Sequence, residues 1–248
     1  GPRTRTMPPS PSRRDRTRAL IARPFAHRGL HGAGVLENSR AAFRAAIDAG
    51  HGIELDVQAA QFSEPIVFHD YELGRLTAQN GPVSELAIGA LEQIQLRGTD
   101  ECIPTLEAIL SLIGGRAPLL IEVKSKNPAY HQLCYGIDSL LRQYSGPVGV
   151  MSFNPRVGHW FAKHAPDVLR GLVVTEEGRP QRGRLKRWLS LNWSKADFLA
   201  YDIRDLPSRF VDAARAKGMK VGTWTVRTDA QRATAAAHAD QIIFEVPA

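Results

Sequence analysis

Cysteine is scarce: Cys102 and Cys134 are the only two in 248 residues, and no Cys-x-x-Cys pair occurs. A disulfide framework and a thiolate zinc site are thereby excluded, and a reducing compartment is the expected setting. Long apolar runs are missing too. The longest, such as residues 117–123, fall far short of the roughly 20 residues needed to span a bilayer. Acidic residues are nearly absent from one end: residues 1–23 hold seven arginines against Asp15 alone, so almost all of the formal net charge of +7 sits there. With Pro8, Pro9 and Pro11 and no apolar face, residues 1–23 read as a solvated, disordered basic arm. Gly1-Pro2 has the look of a scar from a removed tag, with Met7 as the natural start. No signal-peptide pattern is visible and a cytoplasmic location is expected, although the arginine-rich, acid-poor arm also resembles a transit peptide.

What is present is an ordinary globular composition, 43% hydrophobic and 23% charged. Such a length suits two domains or one α/β barrel of about 250 residues. After Arg23, short β-branched runs alternate with longer amphipathic stretches, the mark of βα units around a parallel sheet. Strands are expected at 24–27, 52–58, 65–69, 118–124, 147–152, 169–175, 197–201 and 220–226, with a ninth candidate at 241–246. Helices are expected at 40–49, 84–93, 105–113, 130–143, 155–163, 206–216 and 229–237. Ser39 can cap the first and Gly50 can end it. No composition break marks a second domain, so residues 24–248 are expected to form one. Residues 70–102 are the one long insertion, and such connections usually lie near active sites.

Strands covered on both faces normally read as continuous apolar runs. Four of these do not. In Ile53-Glu54-Leu55-Asp56-Val57 the period of 2 puts Glu54 and Asp56 on one face. Ile121-Glu122-Val123-Lys124 repeats the pattern, and two further strands end in His27 and His69. Each alone reads as easily as a satisfied structural residue. If all four strands belong to one parallel barrel, however, their C-terminal ends meet at one mouth, where such barrels place catalysis. Three carboxylates crowded there would repel one another, so a bound hard cation is the economical explanation. The all-oxygen set suits Mg²⁺ or Ca²⁺, whereas zinc would recruit the histidines. Arg28 and Lys124 beside a cation suggest a phosphate-bearing substrate, and histidines not needed as ligands can move protons.

These residues fall into an ordered set: His27-Arg28-Gly29, Glu37-Asn38-Ser39, Glu54-Leu55-Asp56-Val57, Val67-Phe68-His69-Asp70 with Leu73, Arg75 and Thr77, Ile103-Pro104-Thr105-Leu106, and Ile121-Glu122-Val123-Lys124. In this the chain resembles the glycerophosphodiester phosphodiesterases, closely over residues 24–127 and afterwards at Ser152-Phe153 and Thr223-Trp224-Thr225-Val226. The resemblance implies a (β/α)8 TIM barrel with a long insertion after the third strand. It implies His27 and His69 as the acid/base pair and Glu54, Asp56 and Glu122 as ligands of one divalent metal ion, Mg²⁺ or Ca²⁺. Arg28 and Lys124 would bind phosphate oxygens. Leu36, Ser39, Arg227 and Phe244-Glu245 depart from the family pattern; the last two changes are expected to bear on alcohol specificity rather than on phosphate chemistry.

The expected activity is metal-dependent cleavage of a small-molecule glycerophosphodiester to glycerol phosphate and an alcohol, the attacking group being water or the glycerol 2-hydroxyl. Phe153 and Trp224 either line an apolar wall of the pocket or pack in the core. A rival reading is a phospholipase D-like enzyme on (lyso)phospholipids at an anionic membrane surface. It rests on Arg179, Arg182, Arg184, Lys186 and Arg187, followed by Trp188, Leu189, Leu191 and Trp193. That segment reads more readily as a solvated basic loop with a partly buried helix. A nucleic-acid binder with a vestigial barrel is disfavoured: it has no need of inward acids, and no nucleic-acid partner is expected. Nothing in the sequence selects an oligomeric state.

Overall fold

The computed structural model describes residues 10–125, 130–177 and 183–246. Its strands are β1 (Phe25–His27), β2 (Gly52–Ala59), β3 (Pro65–Val67), β4 (Leu119–Val123), β5 (Val148–Ser152), β6 (Leu169–Val174), β7 (Phe198–Asp202), β8 (Lys220–Val226) and β9 (Gln241–Phe244). The helices are α1 (Arg13–Leu20), α2 (Arg40–Asp48), α3 (Ile88–Leu91), α4 (Leu106–Ile113), α5 (Tyr130–Leu141), α6 (Pro155–His164), α7 (Arg184–Ser194), α8 (Arg209–Ala216) and α9 (Asp229–His238). Eight strands pair in parallel in the order β1-β2-β4-β5-β6-β7-β8-β9, and β9 returns to β1. The result is a closed (β/α)8 TIM barrel, as expected.

Two details of the strand assignment are corrected. The stretch 65–69 is not a barrel strand: β3 runs antiparallel to β2, with Val57 opposite Val67. Only residues 60–64 join them, a hairpin-length connection, whereas a parallel crossover needs a dozen residues or more. The eighth barrel position belongs instead to β9. The long insertion does follow β3, the third strand in chain order, but because β3 is a hairpin return it falls between the second and third strands of the barrel. It has its own small core, in which Phe68, Leu73, Val83, Leu91 and Leu96 are buried together. Where a helix was expected over 84–93, a 3-10 turn at Val83–Glu85 and the four-residue α3 are found.

The basic arm also differs from expectation. Ser12 caps α1 by accepting from the Asp15 amide, and Leu20 and Ile21 are buried. They join Phe25, Leu120, Leu169, Phe198 and Ile243 inside the floor of the barrel. A side chain on Gly149 would lie 2.8 Å from the Leu20 tip, so the glycine leaves the room that Leu20 fills. Arg13 pairs with Asp197 and donates to the Val168 carbonyl at 2.8 Å. Helix formation here comes from tertiary packing, not from composition. Residues 1–9 of the expected arm lie outside the described residues.

Alternation along the strands divides the core. Ile53, Leu55, Val57, Ile121 and Val123 pack outward beneath the helices, and their neighbours face the interior. From floor to rim the inward residues change from apolar to polar: Phe25 to His27, Gly52 to Glu54 and Asp56, Leu120 to Glu122.

Candidate active site

Strand register sets the site. Parallel pairing puts His27 beside Glu54 and Asp56 beside Glu122, so residues distant in sequence become neighbours on the inner face. His69 reaches the same mouth by a different route. Strand β2 overshoots the rim, and β3 returns antiparallel until Phe68 donates to the Asp56 carbonyl at 3.2 Å. A cavity of about 400 Å³ is lined by His27, Glu54, His69, Glu122, Lys124 and Trp224, among others.

The three carboxylates are the most strained part electrostatically. Glu54 and Asp56 are each 1% exposed. Glu54, Asp56 and Glu122 offer oxygens that all lie within 4.8 Å of one another. Glu54 Oε2 accepts from the Arg28 amide at 3.0 Å, but its Oε1 is buried without a hydrogen bond among the described residues. Burial, and then the charges of Asp56 and Glu122, push the Glu54 carboxyl well above its usual range. Glu122 is raised for the same reasons, burial first, although Lys124 donates to its Oε1 at 3.0 Å. Asp56 goes the other way. Burial opposes ionisation there, but Lys124 Nζ at 3.2 Å from Oδ1 and Arg28 Nε at 3.2 Å from Oδ2 hold it below normal. Asn38 adds a donor to Oδ2 at 3.0 Å.

Arg28 adopts a left-handed backbone, φ 57°, which directs its amide at Glu54 while its carbonyl receives the Asn38 amide at 2.9 Å. Its guanidinium donates to Glu37 at 2.8 Å. Glu37 also receives Arg75, at 2.7 and 3.0 Å, and Arg75 binds both oxygens of Asp70. The Glu37-Asn38-Ser39 stretch therefore has three tasks: it ties two arginines, supports Asp56 and caps α2 through Ser39.

Each histidine has its Nδ1 occupied by a carboxylate. His27 Nδ1 lies 2.6 Å from Glu245 Oε1, and His69 Nδ1 lies 2.7 Å from Asp70 Oδ1. Nε2 is left on both rings for proton exchange. Burial lowers the proton affinity of both imidazoles, with Glu245 and Asp70 opposing it. The Glu245 carboxyl is itself held far below normal: burial opposes this, but His27, His31 and Arg227 outweigh it. His27, His31 and Glu245 form a second group able to offer metal ligands. Its glutamate is already bound by His27 and by Arg227 Nε at 2.6 Å, so it is a hydrogen-bonded cluster rather than an open cage.

All nine residues expected at the site, His27, His69, Arg28, Lys124, Phe153, Trp224, Glu54, Asp56 and Glu122, converge here. Phe153 and Trp224 meet edge to face at 5.6 Å on the cavity wall. Sequence reasoning gave Glu245 and Asp70 no role in holding the histidines. The two departures Arg227 and Glu245, separate in sequence, prove to be bonded to each other, and through Glu245 they act on His27 rather than on an alcohol subsite alone. Their joint occurrence was the available signal.

Comparison with known proteins follows the same line. The model of the "Glycerophosphoryl diester phosphodiesterase family" matches residues 27–247. A glycerophosphodiester phosphodiesterase of Caldanaerobacter subterraneus is 29% identical over 235 residues, covering 90% of this chain and 93% of its own. An Oleispira antarctica phosphodiesterase, solved with the product sn-glycerol-3-phosphate, superposes with a TM-score of 0.81 at 21% identity, over 92% of this chain and 94% of that one. A Thermotoga maritima glycerophosphodiester phosphodiesterase gives 0.72 at 21%, over 89% and 92%. The two structures establish likeness of fold.

Proposed function

The chain belongs to the glycerophosphoryl diester phosphodiesterase family, and from that premise we propose that His27 and His69 are its acid/base pair and that Glu54, Asp56 and Glu122 hold its divalent metal. The protein is a phosphoric diester hydrolase acting on small-molecule glycerophosphodiesters. The observation that carries the assignment is the buried Glu54 Oε1, unpartnered among the described residues, within a carboxylate triad gathered at a cavity with two carboxylate-held imidazoles.

The donor set fits a cation: three mutually repelling carboxylates, two of them pushed toward protonation, are relieved by a divalent charge. All-oxygen ligation favours Mg²⁺ or Ca²⁺ over zinc. When bound, such an ion supplies Lewis-acid polarisation of the phosphoryl oxygens. The chain's own residues do the rest. Arg28 and Lys124 bring positive charge to the cavity wall and draw in the phosphodiester anion. Glu245 and Asp70 fix each ring so that Nε2 faces the reaction. One imidazole takes the proton of the attacking hydroxyl and the other delivers a proton to the leaving alkoxide. Phe153 and Trp224 shield one side from water. Water and the glycerol 2-hydroxyl suit this arrangement equally as nucleophile; phosphorus NMR separates them, because only the second gives a cyclic phosphate.

The assignment is tested by separating the two functions. Glu122→Gln should abolish turnover of glycerophosphodiesters together with the rise in melting temperature on adding Mg²⁺ or Ca²⁺. His69→Ala should lower turnover by about 10² to 10⁴-fold and keep that rise. Metal stabilisation that persists in Glu122→Gln would remove this residue from the ligand set.

A further inference from the structure

Helix α7 is packed the wrong way round for an ordinary surface helix. Amphipathic helices normally turn their apolar stripe to the core. Here Arg187, Leu191 and Ser194 face inward. Arg187 approaches the buried Glu176, itself bonded by Ser208 Oγ at 2.7 Å, and Ser194 packs so closely on Gly158 that a side chain there would meet its carbonyl at 2.7 Å. Leu185 and Leu189 therefore point to solvent, with Trp188 beside them, and Trp193, at the same helical spacing, leaves one face open while the other stacks on His159 at 4.9 Å. They are, in that order, 72%, 57%, 50% and 44% exposed, four of the eight exposed large apolar side chains among the described residues. The partly buried helix expected from the sequence is found, but with its apolar side out. Arg179 and Arg182 lie outside the described residues.

Charge along the helix itself has one sign. No acidic residue occurs between Glu177 and Asp197. Arg184 and Lys186 stand exposed in the first turn of α7, opposite to what the helix dipole favours, so helix stability is not their reason. Lys195 follows the helix, and Lys217, just past α8, holds its ammonium 5.3 Å from the Trp188 ring. The stripe also communicates with the mouth. A groove of about 510 Å³ begins at Phe153, shared with the catalytic cavity, and runs past Lys186 and Ser190. Those two residues in turn border the hollow formed by Leu185, Leu189 and Trp193.

We propose that α7 docks the protein on an anionic phospholipid surface, with Leu185, Leu189 and Trp193 entering the headgroup and acyl boundary and Arg184, Lys186, Lys195 and Lys217 meeting the lipid phosphates. The partner is a bilayer, not a protein, because exposed leucine and tryptophan lie on a helix whose own charged residues are all cationic, which is the chemistry of an interfacial helix. Attachment is peripheral, since no helix among the described residues is long and apolar enough to cross a membrane. The groove leads from that contact to the catalytic mouth, placing the reaction beside the lipid.

The test is co-flotation of the protein with phosphatidylcholine vesicles, with and without phosphatidylglycerol, read together with tryptophan fluorescence. The protein should float with the phosphatidylglycerol vesicles, shift its emission to the blue and release in high salt. Leu185→Ser combined with Leu189→Ser should weaken partitioning at least tenfold, and Lys186→Ala about fivefold. Both variants should hydrolyse a soluble glycerophosphodiester at the unaltered rate, which verifies folding and keeps a failure of docking distinct from a failure of the active-site assignment. Absence of flotation, or flotation undiminished in the double variant, overturns the proposal. So does sedimentation showing a dimer that the double variant dissociates, because the stripe would then be a contact between copies of this chain.

Discussion

A carboxylate at Nδ1 decides which face of an imidazole can exchange protons, and here two different carboxylates make that decision for two histidines. Glu245 holds His27 and Asp70 holds His69. Removing an imidazole, in His27→Ala or His69→Ala, should lower kcat by about 10² to 10⁴-fold. Removing only the support, in Glu245→Gln or Asp70→Asn, should lower it by about 10 to 100-fold, measured at saturating substrate. Equal losses in the support and imidazole variants would show that Glu245 and Asp70 do more than orient. Glu54→Gln makes a separate prediction. Because burial and its carboxylate neighbours disfavour a charge at this position, the neutral isostere should raise the melting temperature of the chelated protein by a few degrees while abolishing turnover. Calorimetry in chelator checks this; a fall in melting temperature would contradict it. Glu54, Asp56, Glu122 and Lys124 were legible because charged groups on otherwise apolar strands break a strong pattern, whereas Phe153 and Trp224 break none and were left between pocket wall and core. Glu245 and Asp70 were not, because a lone acid near a strand end breaks none.

Among the elements, the β2–β3 hairpin and α1 show where periodicity misleads. An apolar run with period 2 looks the same in a hairpin return as in a barrel strand, and only the short connection over 60–64 distinguishes them. The consequence is functional, since the hairpin carries His69 down to the level of Asp56. Its anchor is Asp70, whose carboxyl is lowered to about 2 by the Arg75 hydrogen bonds and then by His69. A depressed carboxylate contributes stability that is fully present above its unfolded value near 4 and lost as pH falls toward 2. Asp70→Asn should therefore be less stable than the unaltered protein at pH 7 and equal to it near pH 2, as thermal melts at both pH values would show. A difference persisting at pH 2 would mean that the anchor is not ionic. Helix α1 was hidden by composition: seven arginines and four prolines in residues 1–23 outweigh the short apolar run Ala19-Leu20-Ile21-Ala22, yet Leu20 and Ile21 close the barrel floor. Leu20→Ala should cost about 2 to 5 kcal/mol by denaturant titration. A loss near zero would restore the disordered arm.

At the scale of the whole molecule, the barrel gathers groups that the sequence scatters from residue 27 to residue 245. Closure by β9 against β1 is what brings Glu245 to His27, and parallel register is what brings Glu122 to Asp56. Fold class was readable because βα alternation is a long-range, repeated signal. Outward packing of α7 was not, because a helical period gives the stripe but not the side it faces; the buried Glu176 that draws Arg187 inward lies outside the helix. One carboxylate triad proposed to hold a cation and one histidine pair meet at the same mouth. Phosphorus NMR of a glycerophosphodiester with exhaustively chelated protein, before and after adding back Mg²⁺ or Ca²⁺, tests that proposal directly. No phosphomonoester or cyclic product should form in chelator, and its formation should return on adding the cation; turnover that continues at full rate in chelator would contradict it.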